Sequence, residues 1–119
     1  MLLASTILAT IAVLLGLTLA LLFARGSAYP APLGRLHGAL GVAGLVLLLL
    51  ALREPPRGVA MGAGNFGVIA AWLLAAALLF GLLMLHVSAR RRVIPGIAVG
   101  THATLAIAGF VLLVVYASL

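Results

Sequence analysis

Polar residues occur in this chain only as short clusters between four long apolar runs, roughly Leu2–Ala24, Leu33–Leu52, Phe66–Val87 and Ile97–Leu119. About 20 apolar residues in helical conformation cross the hydrocarbon core of a bilayer. The pattern therefore predicts four transmembrane helices in a single domain: an all-α membrane protein folded as an up-down bundle. Local signals agree with these limits. Pro30 or Pro32 suits the first turn of the second helix, where a missing N–H costs nothing. Asn65 is placed to cap the third helix and Pro95 to open the fourth. The first run lacks a basic leading segment and is longer than the 7–15 residues usual for the core of a signal peptide, so it reads as a transmembrane helix.

The runs are not independent. The stretch beginning at His37 returns 65 residues later at His102, and seven of the sixteen pairs from His37/His102 to Leu52/Ala117 are identical. Matches among Leu, Ala and Val are cheap in so apolar a chain, but His37/His102 and Gly44/Gly109 are not. The same offset aligns Gly16 with Gly81, Arg25 with Arg90 and Pro30 with Pro95. The chain thus reads as a duplicated helical hairpin, with one repeat over about residues 1–52 and the other over about 66–119.

Composition removes most chemistry from consideration. Hydrophobic residues make up 66% of the chain and charged residues 7%, with a mean hydropathy of +1.43. A soluble domain of 119 residues has too little interior for that much apolar surface. Cysteine is absent, which excludes disulfides and thiolate ligation. The single acidic residue, Glu54, lies in a loop, so paired-carboxylate catalysis and an intramembrane acidic relay are excluded as well.

The net charge of +6 comes from arginines in the loops, a membrane-topology pattern rather than a nucleic-acid surface. Loops one and three carry Arg25, Arg35, Arg90, Arg91 and Arg92, whereas loop two carries Arg53 and Arg57. The positive-inside rule puts loops one and three in the cytoplasm and both termini outside, most naturally in a bacterial inner membrane. Tyr29 and Tyr116 fall near opposite interfaces, where an aromatic belt is expected.

The candidate chemistry is in the histidines. His37 lies near the start of helix two, His86 near the end of helix three and His102 near the start of helix four, so all three come out near the arginine-rich face. Polar side chains about one to two turns inside a membrane normally face the bundle interior. His37 shares a stripe with Gly44, flanked by Gly34 and Gly41, and His102 shares one with Gly109, flanked by Ala98 and Ala106. Such faces admit close helix packing or a flat ligand. Repeat symmetry sets helices two and four diagonally across the bundle with His37 facing His102. His86, whose repeat partner is Leu21, stands apart.

This arrangement resembles the haem-carrying four-helix core of membrane b-type cytochromes, where histidines on alternate helices ligate the iron. The resemblance covers the four-helix plan and the His37/His102 pair. It implies one haem b with His37 and His102 as axial ligands, passing single electrons as a carrier or an oxidoreductase subunit, with quinone or a redox protein as partner. It further implies small residues such as Gly41, Gly44, Ala106 and Gly109 along the ligand faces. Gly16 and Gly81 would let the porphyrin approach the other two helices, and Arg35 or Arg90–Arg92 would meet the propionates. His86 would then hydrogen-bond a propionate, relay a proton or replace one of the pair. An oligomer is compatible with the small-residue faces.

Three other readings compete. A three-histidine zinc or copper site would leave a divalent charge without an anionic ligand in low dielectric. The length and layout also resemble small multidrug-resistance transporters, but those rely on a glutamate in the first helix, which this chain lacks. A non-catalytic accessory subunit of a larger membrane complex would need only the small-residue faces.

Overall fold

The computed structural model describes residues 1–28, 30–90 and 93–119. Tyr29, Arg91 and Arg92, assigned above to the interface and the propionates, lie outside the described residues. The expected four helices are present: α1 (Leu2–Ala24), α2 (Ala31–Ala51), α3 (Phe66–Ala89) and α4 (Gly96–Ser118). A single 3₁₀ turn at Val59–Met61 interrupts loop two. All four helices are long and apolar enough to cross a membrane.

The helix ends follow from local chemistry. α1 closes on Gly26, whose φ of 63° is left-handed. Its N–H bonds Phe23 O and the Ser27 N–H bonds Leu22 O, the two bonds of a Schellman cap. α2 begins two residues earlier than its apolar run, because Pro30 serves as N-cap and Pro32 is tolerated in the first turn. α4 likewise starts behind Pro95. Asn65 occupies the N-cap of α3 as expected, but its side chain makes no capping hydrogen bond.

Each hairpin packs closely within itself, α1 on α2 and α3 on α4. The hairpins meet more sparsely, through α1 against α4 and α2 against α3, which leaves α1/α3 and α2/α4 as the diagonals. The molecule is 49 Å long and 23 by 21 Å across. Its outer faces carry Leu3, Ile7, Leu17, Trp72, Leu79 and Ile97 in exposed positions, as a lipid environment requires.

The interior is unevenly filled. The buried residues of the helices are Ser5, Ala9 and Ala12 on α1, Gly44, Leu48 and Ala51 on α2, Gly67, Ala70, Ala71 and Ala77 on α3, and Gly109, Leu113 and Tyr116 on α4. All lie from mid-bundle toward loop two and the termini. Five pairs among them stand 65 residues apart: Ser5/Ala70, Ala12/Ala77, Gly44/Gly109, Leu48/Leu113 and Ala51/Tyr116. The duplication is therefore a duplication of packing. Tyr116, near the end of α4, is buried within the bundle: it packs against Gly67, and its hydroxyl accepts the Arg57 backbone N–H at 3.4 Å. Toward loops one and three no described helical residue is fully buried, and that half holds the histidines.

Candidate functional site

His37 sits two turns into α2 and His102 two turns into α4, on the diagonal of the bundle. Their rings meet at the centre, with centroids 5.9 Å apart and planes inclined by 74°. Both are half-buried. Each ring is held in the same way by the neighbouring helix of its own hairpin. His37 Nδ1 lies 2.8 Å from the carbonyl oxygen of Ala12 on α1. His102 Nδ1 lies 2.8 Å from the carbonyl oxygen of Ala77 on α3.

A carbonyl oxygen only accepts, so in the neutral ring Nδ1 carries the hydrogen and donates it. Nε2 is then left with a lone pair. Neither Nε2 has a hydrogen-bond partner among the described residues. Each neutral imidazole is thus tied back to its own hairpin through Nδ1 and keeps a lone pair on Nε2, with the two rings 5.9 Å apart. A nitrogen with a free lone pair can take up a proton or bind a metal ion.

Gly16 and Gly81 make the approach sterically feasible. A Cβ on Gly16 would lie 2.9 Å from His37 Cε1, and one on Gly81 would lie 3.2 Å from His102 Cε1. These glycines accommodate the imidazole edges, a different use from the porphyrin clearance expected of them. The offset between Gly16 and His37, judged from the helix ends, is about two residues or ~3 Å of rise, which the length of the imidazole covers.

The other candidates are placed as follows. His86 is exposed on α3 and stands apart from the central pair. No group of three His, Cys, Asp or Glu residues able to hold a metal occurs among the described residues, so the three-histidine site has no geometry to support it. Gly44 packs at van der Waals distance on Ala9 and Ser5, and its carbonyl accepts the Ser5 hydroxyl at 2.8 Å. Gly109 packs against Leu73 and Leu74. Both serve helix contact within a hairpin. Gly34 and Gly41 face open space, and Ala106 is half-buried on α4. Arg35 is exposed one half-turn before His37, at the same end of the bundle as Arg25 and Arg90. The carbonyls of Ala12 and Ala77 carry no sequence signal of their own beyond their shared offset.

Compared with models of protein families, with curated proteins and with solved structures, the chain matches none.

Proposed function

We propose that this chain is a small membrane b-type cytochrome in which His37 and His102 are the axial ligands of one haem b, and that it passes single electrons within the membrane. The observation that carries the reading is the pair of Nδ1–H···O=C bonds, which leave an Nε2 lone pair on each of two rings whose centroids are 5.9 Å apart. A second nitrogen bonded to a backbone carbonyl is the usual support of a metal-binding imidazole, because it fixes the tautomer and raises ligand basicity.

The residues fit the group. Two imidazoles whose ring centroids stand 5.9 Å apart are near enough for both to hold one metal ion. A neutral donor pair suits an iron whose charge the porphyrin already offsets, and no carboxylate or thiolate is available for a bare divalent ion. The sparse contact between hairpins and the absence of fully buried described residues at the histidine level favour a flat group there. Held between two imidazoles, a haem iron supplies one-electron redox chemistry.

The protein residues then have separable roles. His37 and His102 would hold the iron, and with both imidazoles bound it would favour electron transfer over oxygen chemistry. Arg35, with Arg25 and Arg90 at the same end, would offset propionate charge. The arginine distribution supports placing that end in the cytoplasm of a bacterial cell and the termini outside. A quinone or a redox protein in the same membrane would exchange the electron.

The test is the absorption spectrum of protein purified after expression with ample haem. A low-spin spectrum that sharpens on reduction, with about one haem per chain, is expected. Colourless protein overturns the cytochrome reading.

A further inference from the structure

In a regular helix the carbonyl of residue i points at the N–H of residue i+4, so the side chain at i+4 flanks the way to that oxygen. Ala12 and Gly16 stand in this relation on α1, and Ala77 and Gly81 stand in it on α3. Each carbonyl that receives a histidine therefore has, one turn on, a residue with no side chain. In each hairpin the acceptor, the glycine and the histidine follow the same spacing, Ala12–Gly16–His37 and Ala77–Gly81–His102.

We infer that Gly16 and Gly81 are positioning residues that open the Ala12 and Ala77 carbonyls to His37 and His102, so that each glycine sets the tautomer and the donor strength of one imidazole. The distances support this assignment. A Cβ at residue 16 would stand 2.9 Å from His37 Cε1, closer than real Cβ contacts allow, and a tight 3.3 Å from Nδ1. The ring would have to withdraw, and Nδ1 would leave the carbonyl. At residue 81 the corresponding distances to His102 are 3.2 and 3.5 Å, which asks for a shift of a few tenths of an ångström. The two hairpins are built alike but are not equally tight, so His37 is the more sensitive of the pair.

The contrast with other glycines sharpens the assignment. Gly34, Gly38, Gly41, Gly96 and Gly100 lie on α2 and α4, and a methyl group added at any of them would meet nothing within 4 Å. Clearance for an imidazole is found at Gly16 and Gly81, on the helices that carry the acceptor carbonyls, whereas Gly67 of α3 makes room for the Tyr116 ring. Without the bond to Ala12 or Ala77, the imidazole is free to place its hydrogen on Nε2, the atom that must be bare to act as a ligand.

The tautomer effect is independent of any cofactor, whereas its redox consequence rests on the cytochrome reading. A backbone acceptor on Nδ1–H raises the basicity of the ring, which favours the oxidised metal. Loss of that bond therefore raises the reduction potential and loosens the group.

The experiment compares Gly16→Ala and Gly81→Ala with Gly100→Ala, using the full chain with ¹⁵N-labelled histidine. In haem-free protein, nitrogen NMR should show His37 and His102 as Nδ1–H tautomers. Gly16→Ala should move the His37 signals toward the Nε2–H form and leave those of His102 in place. Gly81→Ala should shift His102 by a smaller amount, and Gly100→Ala should shift neither. In haem-loaded protein, Gly16→Ala should raise the potential and weaken haem retention by about 10–100-fold. Unchanged tautomers and an unchanged potential in Gly16→Ala overturn the inference. If Gly16→Ala does not fold, Gly81→Ala, with its milder contact, carries the same test. Shifted tautomers in a protein that never takes up haem leave the glycine assignment standing and remove the cytochrome.

Discussion

His86 and Leu21 stand at equivalent positions in the two hairpins, and both project outward: Leu21 is 50% exposed, and His86 is likewise exposed. The third histidine therefore has no counterpart at the site and no place beside the pair. His86→Ala should retain haem with an unaltered spectrum. His37→Ala or His102→Ala should empty the site or leave loosely held haem with a changed spectrum. Haem lost with His86→Ala but kept with His102→Ala would show that the wrong helix has been chosen.

With both His37 and His102 as ligands, the proposed haem iron would have no open coordination position. Dithionite-reduced protein exposed to carbon monoxide should keep its spectrum. Strong carbon monoxide binding would mean that one of His37 and His102 is not a ligand.

Ser5 donates to the carbonyl of Gly44 across α1 and α2 at 2.8 Å and is fully buried. Its twin, Ala70, fills the same place without a hydroxyl. Ser5→Ala should thus leave the packing intact and cost about 0.6 kcal/mol, the average for interhelical hydrogen bonds in membranes, and no more than about 1.7 kcal/mol. Reversible unfolding in mixed micelles measures it, and no loss of stability would mean that the bond adds nothing to packing.

Among the described residues, Leu48 and Leu113 are the two large apolar side chains with no exposure, and they sit 65 residues apart in the filled half of the bundle. Truncation of either to Ala leaves a cavity, with an expected cost of about 2–5 kcal/mol. Because the histidine pair lies in the other half, the spectrum of bound haem should not change. A spectral shift without loss of stability would contradict this separation of core and site.

Loops one and two lie at opposite ends of the bundle, so single cysteines in place of Ser27 and Gly62 should react with impermeant reagents from opposite sides of the membrane. The arginine bias expects Gly62→Cys to be reached from outside the cell. Labelling of both from one side would overturn the hairpin topology.

Much of this is legible in the residues. Hydropathy alone sets the four helices, because lipid requires each spanning segment to be apolar over its whole length and to satisfy its own backbone. The 65-residue offset exposes the duplication and singles out His37 and His102 over His86. It carries that weight because a His match in so apolar a chain is improbable by chance. Helix ends differ from the apolar runs by one or two residues where proline caps extend a helix beyond its run. The burial of Tyr116 within the bundle was not legible for a different reason. Its position near a helix end is one-dimensional information, while its burial depends on Gly67 of another helix leaving room for the ring.

The sequence by itself determined the number of helices, their duplicated pairing and the diagonal that joins the two histidines. Only the tertiary structure decided what holds those histidines and what Gly16 and Gly81 are for. The reason is physical. The acceptors are backbone carbonyls of Ala12 and Ala77, and every residue type presents the same carbonyl. Nothing in a side-chain alphabet marks one as available. Availability arises where a helix with a missing Cβ is turned toward an imidazole from the next helix, and that coincidence exists only after the hairpin has closed.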